Sequence, residues 1–118
     1  MKKQLLVAAC TAILVACGTA KNNSAKVESM PSQADIDRVK DKFPGYTLSD
    51  LKDGKKLYEA NCALCHGLKK PGSETEEEWK KIVPPMVKKA NGKNGNALDA
   101  SGEEKILRYV ITMGSVSK

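Results

Sequence analysis

Cys62-Ala63-Leu64-Cys65-His66 decides how this sequence is read. Two thiols three residues apart, with an imidazole directly after the second, put three soft donors for a metal centre into five positions. The 118-residue chain has four cysteines and one histidine. A structural zinc site needs four ligands; this cluster supplies three, and there is no other histidine to add. A thioredoxin-like redox pair uses the same C-x-x-C spacing, but inside a strand–helix–strand context. The chain has no convincing strand alternation. A short pattern can also arise by chance.

With its histidine, the stretch is C-x-x-C-H, the attachment motif of c-type haem. The spacing has a mechanical reason. Two thiols add across the vinyl groups on one edge of the porphyrin, and the next residue is then carried under the ring, where its imidazole reaches iron. The expected cofactor is one covalent haem c on Cys62 and Cys65, with His66 as an axial iron ligand.

Around the motif the pattern is helical. Residues 33–42 form a first helix with Ile36 and Val39 on one face, ended by Phe43-Pro44-Gly45. Ser49 is the expected N-cap of a second helix, which carries Leu51, Leu57, Tyr58 and Ala60 into the motif. Leu68 to Gly72 read as a loop. Thr75 and Glu78 have capping-box spacing and open a third helix through Trp79, Ile82 and Val83. Pro84-Pro85 is expected to break that helix just before Met86. Asn91-Gly92 and Asn94-Gly95 mark a turn-rich loop. Ser101 with Glu104 opens a last helix bearing Ile106, Leu107, Tyr109, Val110 and Met113. The fold class is all-α: about four or five short helices around one haem.

The sixth iron ligand is a separate matter. His66 is the sole histidine, so bis-histidine ligation within the chain is ruled out. A lysine binds iron only when deprotonated, which costs free energy near neutral pH. Thioether sulfur is the usual partner. Met30 lies in a polar stretch, and Met113 suits the apolar face of the last helix. Met86 follows the stiff proline pair and is the favoured ligand. Met113 and an open or water-bound position are the alternatives.

The N-terminus reads as an export signal. Lys2 and Lys3 precede an apolar stretch from Leu5 to Ala16, which is of signal-peptide length and short for a membrane span. Leu14-Val15-Ala16-Cys17 resembles the lipobox of bacterial lipoproteins. That resemblance implies cleavage before Cys17 and acylation of Cys17, giving an anchor of two or three chains. Residues 1–16 are then the signal peptide, 17–32 a polar flexible tether, and 33–118 the haem domain, with a core at about 49–114. Cys10 leaves with the signal. No cysteine pair remains for a structural disulfide. Export agrees with the motif, because bacterial c-type haem is attached outside the cytoplasm.

Composition sets the remaining bounds. The formal charge is +6, and it falls to +4 once Lys2 and Lys3 leave. The lysines are dispersed, and aromatics make up only 4% of the chain, so nucleic-acid binding is a poor reading. Apolar residues beyond the signal are modest in number, and small domains of this kind often need a cofactor to complete the core.

Residues 54–113 resemble class I cytochrome c, especially the short bacterial single-haem domains. The resemblance rests on Gly54-x-x-Leu57-Tyr58 ahead of Cys62-x-x-Cys65-His66-Gly67, on the order Trp79, Met86, Ala90, and on a terminal Ile106-x-x-Tyr109-Val110. It implies that Gly54 and Tyr58 meet Leu107, Tyr109 or Val110 where the two helices cross. It also implies that the Pro71 carbonyl orients the His66 ring. The interval from His66 to Met86 is shorter than in the long mitochondrial type, and residues 33–46 are an extension without a counterpart. This extension would cover a haem edge with Phe43 or Tyr46, or else pack into the core.

The function so implied is one-electron transfer between redox proteins outside the cytoplasm, with no small-molecule substrate and no enzymatic activity. The location is a bacterial membrane, facing the periplasm or the cell surface. Two alternatives stand beside it: a haem subunit of a larger membrane oxidoreductase, and a haem enzyme or sensor with an open iron position.

Overall fold

The computed structural model describes residues 30–64 and 66–117. The signal segment, Cys17 and most of the tether lie outside them, as does Cys65. Four helices make up the fold: α1 (Gln33–Val39), α2 (Leu48–Cys62), α3 (Glu76–Asn94) and α4 (Ala100–Gly114), with a 3-10 turn at Pro71–Ser73. Among the described residues there is no strand. The all-α expectation holds.

Each long helix begins where a side chain satisfies the orphan N–H groups of its first turn. The Thr75–Glu78 capping box opens α3 as expected: Thr75 Oγ1 accepts from the Glu78 amide at 3.2 Å, and Glu78 Oε2 from the Thr75 amide at 2.7 Å. The other two starts differ from expectation. α2 is capped by Thr47 rather than Ser49, because Asp50 answers Thr47 across a reciprocal box at 3.1 Å in both directions. α4 is capped by Asp99 rather than Ser101; its Oδ1 accepts the Gly102 amide at 2.7 Å. A carboxylate at the helix start also meets the positive end of the helix dipole.

The largest departure is α3. It runs through Pro84 and Pro85 without a break and through Asn91-Gly92 as well, ending only at Gly95 with φ 71°. A proline inside a helix removes an N–H and typically costs about 3 kcal/mol. Here the carbonyls denied their donors belong to Lys80 and Lys81, residues on the exposed side of the helix. The buried face of the helix, Trp79, Val83, Val87 and Ala90, holds it against the core. Tertiary packing overrides the local penalty.

The core centres on α4. Leu51, Ile106 and Val110 are fully buried, with Tyr109 and Trp79 nearly so. α2 and α4 cross at Gly54, where an added Cβ would lie 2.3 Å from the Lys105 carbonyl oxygen and 2.8 Å from the Tyr109 Cβ. Only glycine permits this approach. Tyr58 reaches the same crossing, its ring 5.5 Å from that of Tyr109.

The extension before α2 packs against α4 and reaches the start of α3, where Lys42 pairs with Glu76. Ile36, Val39 and Tyr46 are buried in the core cluster. Arg38 donates to the Ser115 hydroxyl at 3.2 Å and to the Thr112 carbonyl at 3.4 Å, near the end of α4. The Arg108 guanidinium lies 5.0 Å over the Phe43 ring and 5.7 Å over that of Tyr46. Phe43 and Tyr46 therefore serve core packing, and the reading that they cover a cofactor edge is set aside.

Candidate functional site

A cleft opens between the end of α2, the loop after it and α3. Its walls are Tyr58, Cys62, His66, Leu68, Lys69, Trp79, Ile82, Val83 and Met86. The α3 wall follows from helical geometry. Trp79, Ile82, Val83 and Met86 stand at i, i+3, i+4 and i+7, one continuous face. That face exists because the prolines do not interrupt the helix.

Two aromatic side chains fix the loop between the motif and α3. The Tyr58 hydroxyl donates to the Lys69 carbonyl. The Trp79 indole N–H donates to the Pro71 carbonyl at 2.9 Å. Their rings meet edge to face, 6.2 Å apart and 89° inclined. Each ring thus faces the cleft while its polar handle holds loop backbone. Gly114 permits the loop to press on α4, since a Cβ there would lie 2.7 Å from the Pro71 carbonyl oxygen. The Pro71 carbonyl is thereby engaged with Trp79. The His66 ring instead has its Nδ1 2.8 Å from the Gly67 carbonyl oxygen.

The expected site residues sort as follows. Cys62, His66 and Met86 line one cleft, with Tyr58 and Trp79 beside them. Gly54 sits at the helix crossing. Met113 is buried in the core cluster and does not line the cleft. Pro71 supports the wall from behind. Leu68, Ile82 and Val83 complete the lining, and the unbroken helical spacing from Trp79 was the signal for the last two. Asn61, next to Cys62 and buried, went unnoticed in the sequence.

The lining fits a large flat apolar cofactor. Leu64 within the motif and Leu68 just after it are 43% and 39% exposed, an arrangement that leaves apolar surface to be covered. The cleft's potential iron donors are an imidazole and a thioether, and Cys62 stands at its edge. The Lys69 amine lining it is already paired with Glu74. Among the described residues no cluster of His, Cys, Asp and Glu offers a competing metal site.

An all-helical domain with a motif histidine and a methionine on one apolar cleft defines the class of cytochrome c-like haem domains. Residues 49–115 match the family model described as cytochrome C oxidase, cbb3-type, subunit III, and the chain belongs to this cytochrome c family. No curated protein and no solved structure matches it. The matched segment starts within α2 and excludes α1.

Membership makes this a haem-based electron-transfer domain. Bound haem supplies a one-electron iron couple. The chain's own part would be to hold that group against the apolar wall of the cleft, where Cys62, His66 and Met86 would offer sulfur and nitrogen donors. Among the described residues, no helix is long and apolar enough to cross a membrane.

Proposed function

We propose that this protein is a single-haem c-type cytochrome, exported and tethered through acylated Cys17, that passes one electron at a time between redox proteins. The haem is bonded through Cys62 and Cys65, with His66 and Met86 as axial ligands. The observation that carries this reading is the convergence of Cys62, His66 and Met86 on one apolar cleft, while Met113 packs in the core. Histidine–methionine ligation fills both axial positions and tends to raise the reduction potential. Trp79, Ile82 and Val83 keep water from the Met86 side. The dispersed lysines favour acidic partners, through small transient interfaces.

Mass spectrometry of the mature protein from its native membrane tests the covalent claims together. The expected mass carries one haem and an acylated Cys17; an unmodified Cys62/Cys65 pair in protein matured by a competent attachment system would overturn the reading. A Met86→Ala variant tests the sixth ligand. Loss of the weak long-wavelength thioether–iron band and a lower potential are expected. An unchanged spectrum and potential would remove Met86 from the iron.

A second reading is favoured by the description of the matching family. As a haem subunit of a larger membrane oxidase, the protein would co-purify with other redox subunits from detergent-solubilised membranes, where a mobile carrier would elute alone.

A further inference from the structure

One buried polar side chain next to the motif has no part in the reading above. Asn61 is 7% exposed and directly precedes Cys62. Its Nδ2 donates to the Leu57 carbonyl one helical turn back, at 2.8 Å. That bond turns Oδ1 away from α2, where it accepts from Asn94 Nδ2 at 2.6 Å. Asn94 is the last residue of α3. A third asparagine fixes the chain just beyond it: Asn91 accepts the Leu98 amide at 2.9 Å and donates to the Leu98 carbonyl at 2.8 Å.

This bond joins two helices with different duties. α2 ends in the attachment motif, and α3 carries Met86. Asn94 lies eight residues beyond Met86, about 12 Å along the axis at the usual helical rise. The bond therefore sits beyond the cleft, one residue before Cys62 on α2 and about two turns past Met86 on α3, where a small change of separation swings Met86 relative to the motif. The walls between are apolar and pack without direction, whereas an amide–amide bond fixes distance and orientation.

We infer that Asn61 and Asn94 form a positioning clasp that holds Met86 at ligand distance by fixing the end of α3 against the residue before the haem-attachment motif. The inference rests on the Met86 reading. A clasp of this kind acts through the sixth ligand's effective concentration at iron. A net hydrogen bond contributes on the order of fivefold in such an equilibrium.

The test is displacement of the sixth ligand by added imidazole in the oxidised holoprotein. Asn94→Ala removes the clasp from its exposed partner, so the fold is not put at risk. Imidazole affinity is expected to rise about fivefold, with the thioether–iron band weakening at lower imidazole. Lys93→Ala, on the same exposed turn, is expected to leave both unchanged. Asn94→Gln, which keeps the donor, is expected to recover part of the loss. If Asn94→Ala and Lys93→Ala behave alike while Met86→Ala abolishes the band, the clasp is wrong and the ligand assignment stands. If Met86→Ala leaves the band intact, the ligand assignment fails, and the clasp with it.

Discussion

The α2–α4 crossing and the α2–α3 cleft share a helix and are built on opposite terms. At the crossing, Gly54 lets backbone approach backbone, and Leu51, Ile106 and Val110 are sealed from water. That region is complete with the residues it has. Across the cleft, the facing side chains stand apart, Leu68 stays partly exposed and His66 reaches the surface. The same apolar chemistry is used, but it lines an open wall rather than a sealed contact. One region specifies the fold, and the other is shaped to be completed by a cofactor.

Replacing both Cys62 and Cys65 with alanine gives the largest effect expected on the cleft side: covalent attachment is lost entirely. Haem that leaves the polypeptide on a denaturing gel reports this; haem that stays would refute the attachment. Gly54→Val strikes the other region. A branched side chain cannot fit against the Lys105 carbonyl, and overpacking of this kind costs about 3 kcal/mol. Denaturant unfolding of the holoprotein should show a lowered midpoint, while molecules still folded keep their spectrum. A spectral change in the folded state would mean that the two regions are coupled.

Trp79→Phe tests the seam between them. It keeps the ring and removes the N–H that holds the Pro71 carbonyl, leaving that acceptor unpaired at a cost of about 1–2 kcal/mol. Both the unfolding midpoint and the haem circular dichroism should shift; a shift in the midpoint alone would place Trp79 with the core. The smallest effect concerns Asp35, remote from both regions. Burial alone would push its carboxyl up, but hydrogen bonds from Arg38 and Ser32 outweigh burial and leave it lowered. Its stabilising contribution is therefore full above the unfolded carboxylate range and is lost as pH falls through the lowered value. Asp35→Asn should flatten this part of the acid side of the stability curve, and an unaltered acid limb would count against it.

The motif and the all-helical class were legible from five residues and from helical spacing. The helix starts were less so. Thr47–Asp50 and Asp99 outcompete Ser49 and Ser101 because a cap is chosen by the turn it closes, and neighbouring hydroxyls and carboxylates look alike in a sequence. Pro84-Pro85 misled for a clearer reason. Local rules price a proline by its lost hydrogen bond, but the packing of Trp79, Val83, Val87 and Ala90 belongs to the tertiary structure. The bond between Asn61 and Asn94 spans 33 positions and has no periodic signature. The engagement of Pro71 with Trp79 likewise depends on how closely Gly114 lets α4 approach.

Arg38 gives the extension a mechanical meaning. The chain enters the domain through α1, and Arg38 fastens that helix to Thr112 and Ser115, where α4 ends. A pull arriving at Met30 is thus borne first by the α1–α4 seam, in shear, with Ile36 and Val39 as its buried grip. A second tie, from Lys42 to Glu76 at the start of α3, carries part of that pull toward the helix that bears Trp79 and Met86. A load on α1 is thus shared between the end of α4 and the first turn of α3.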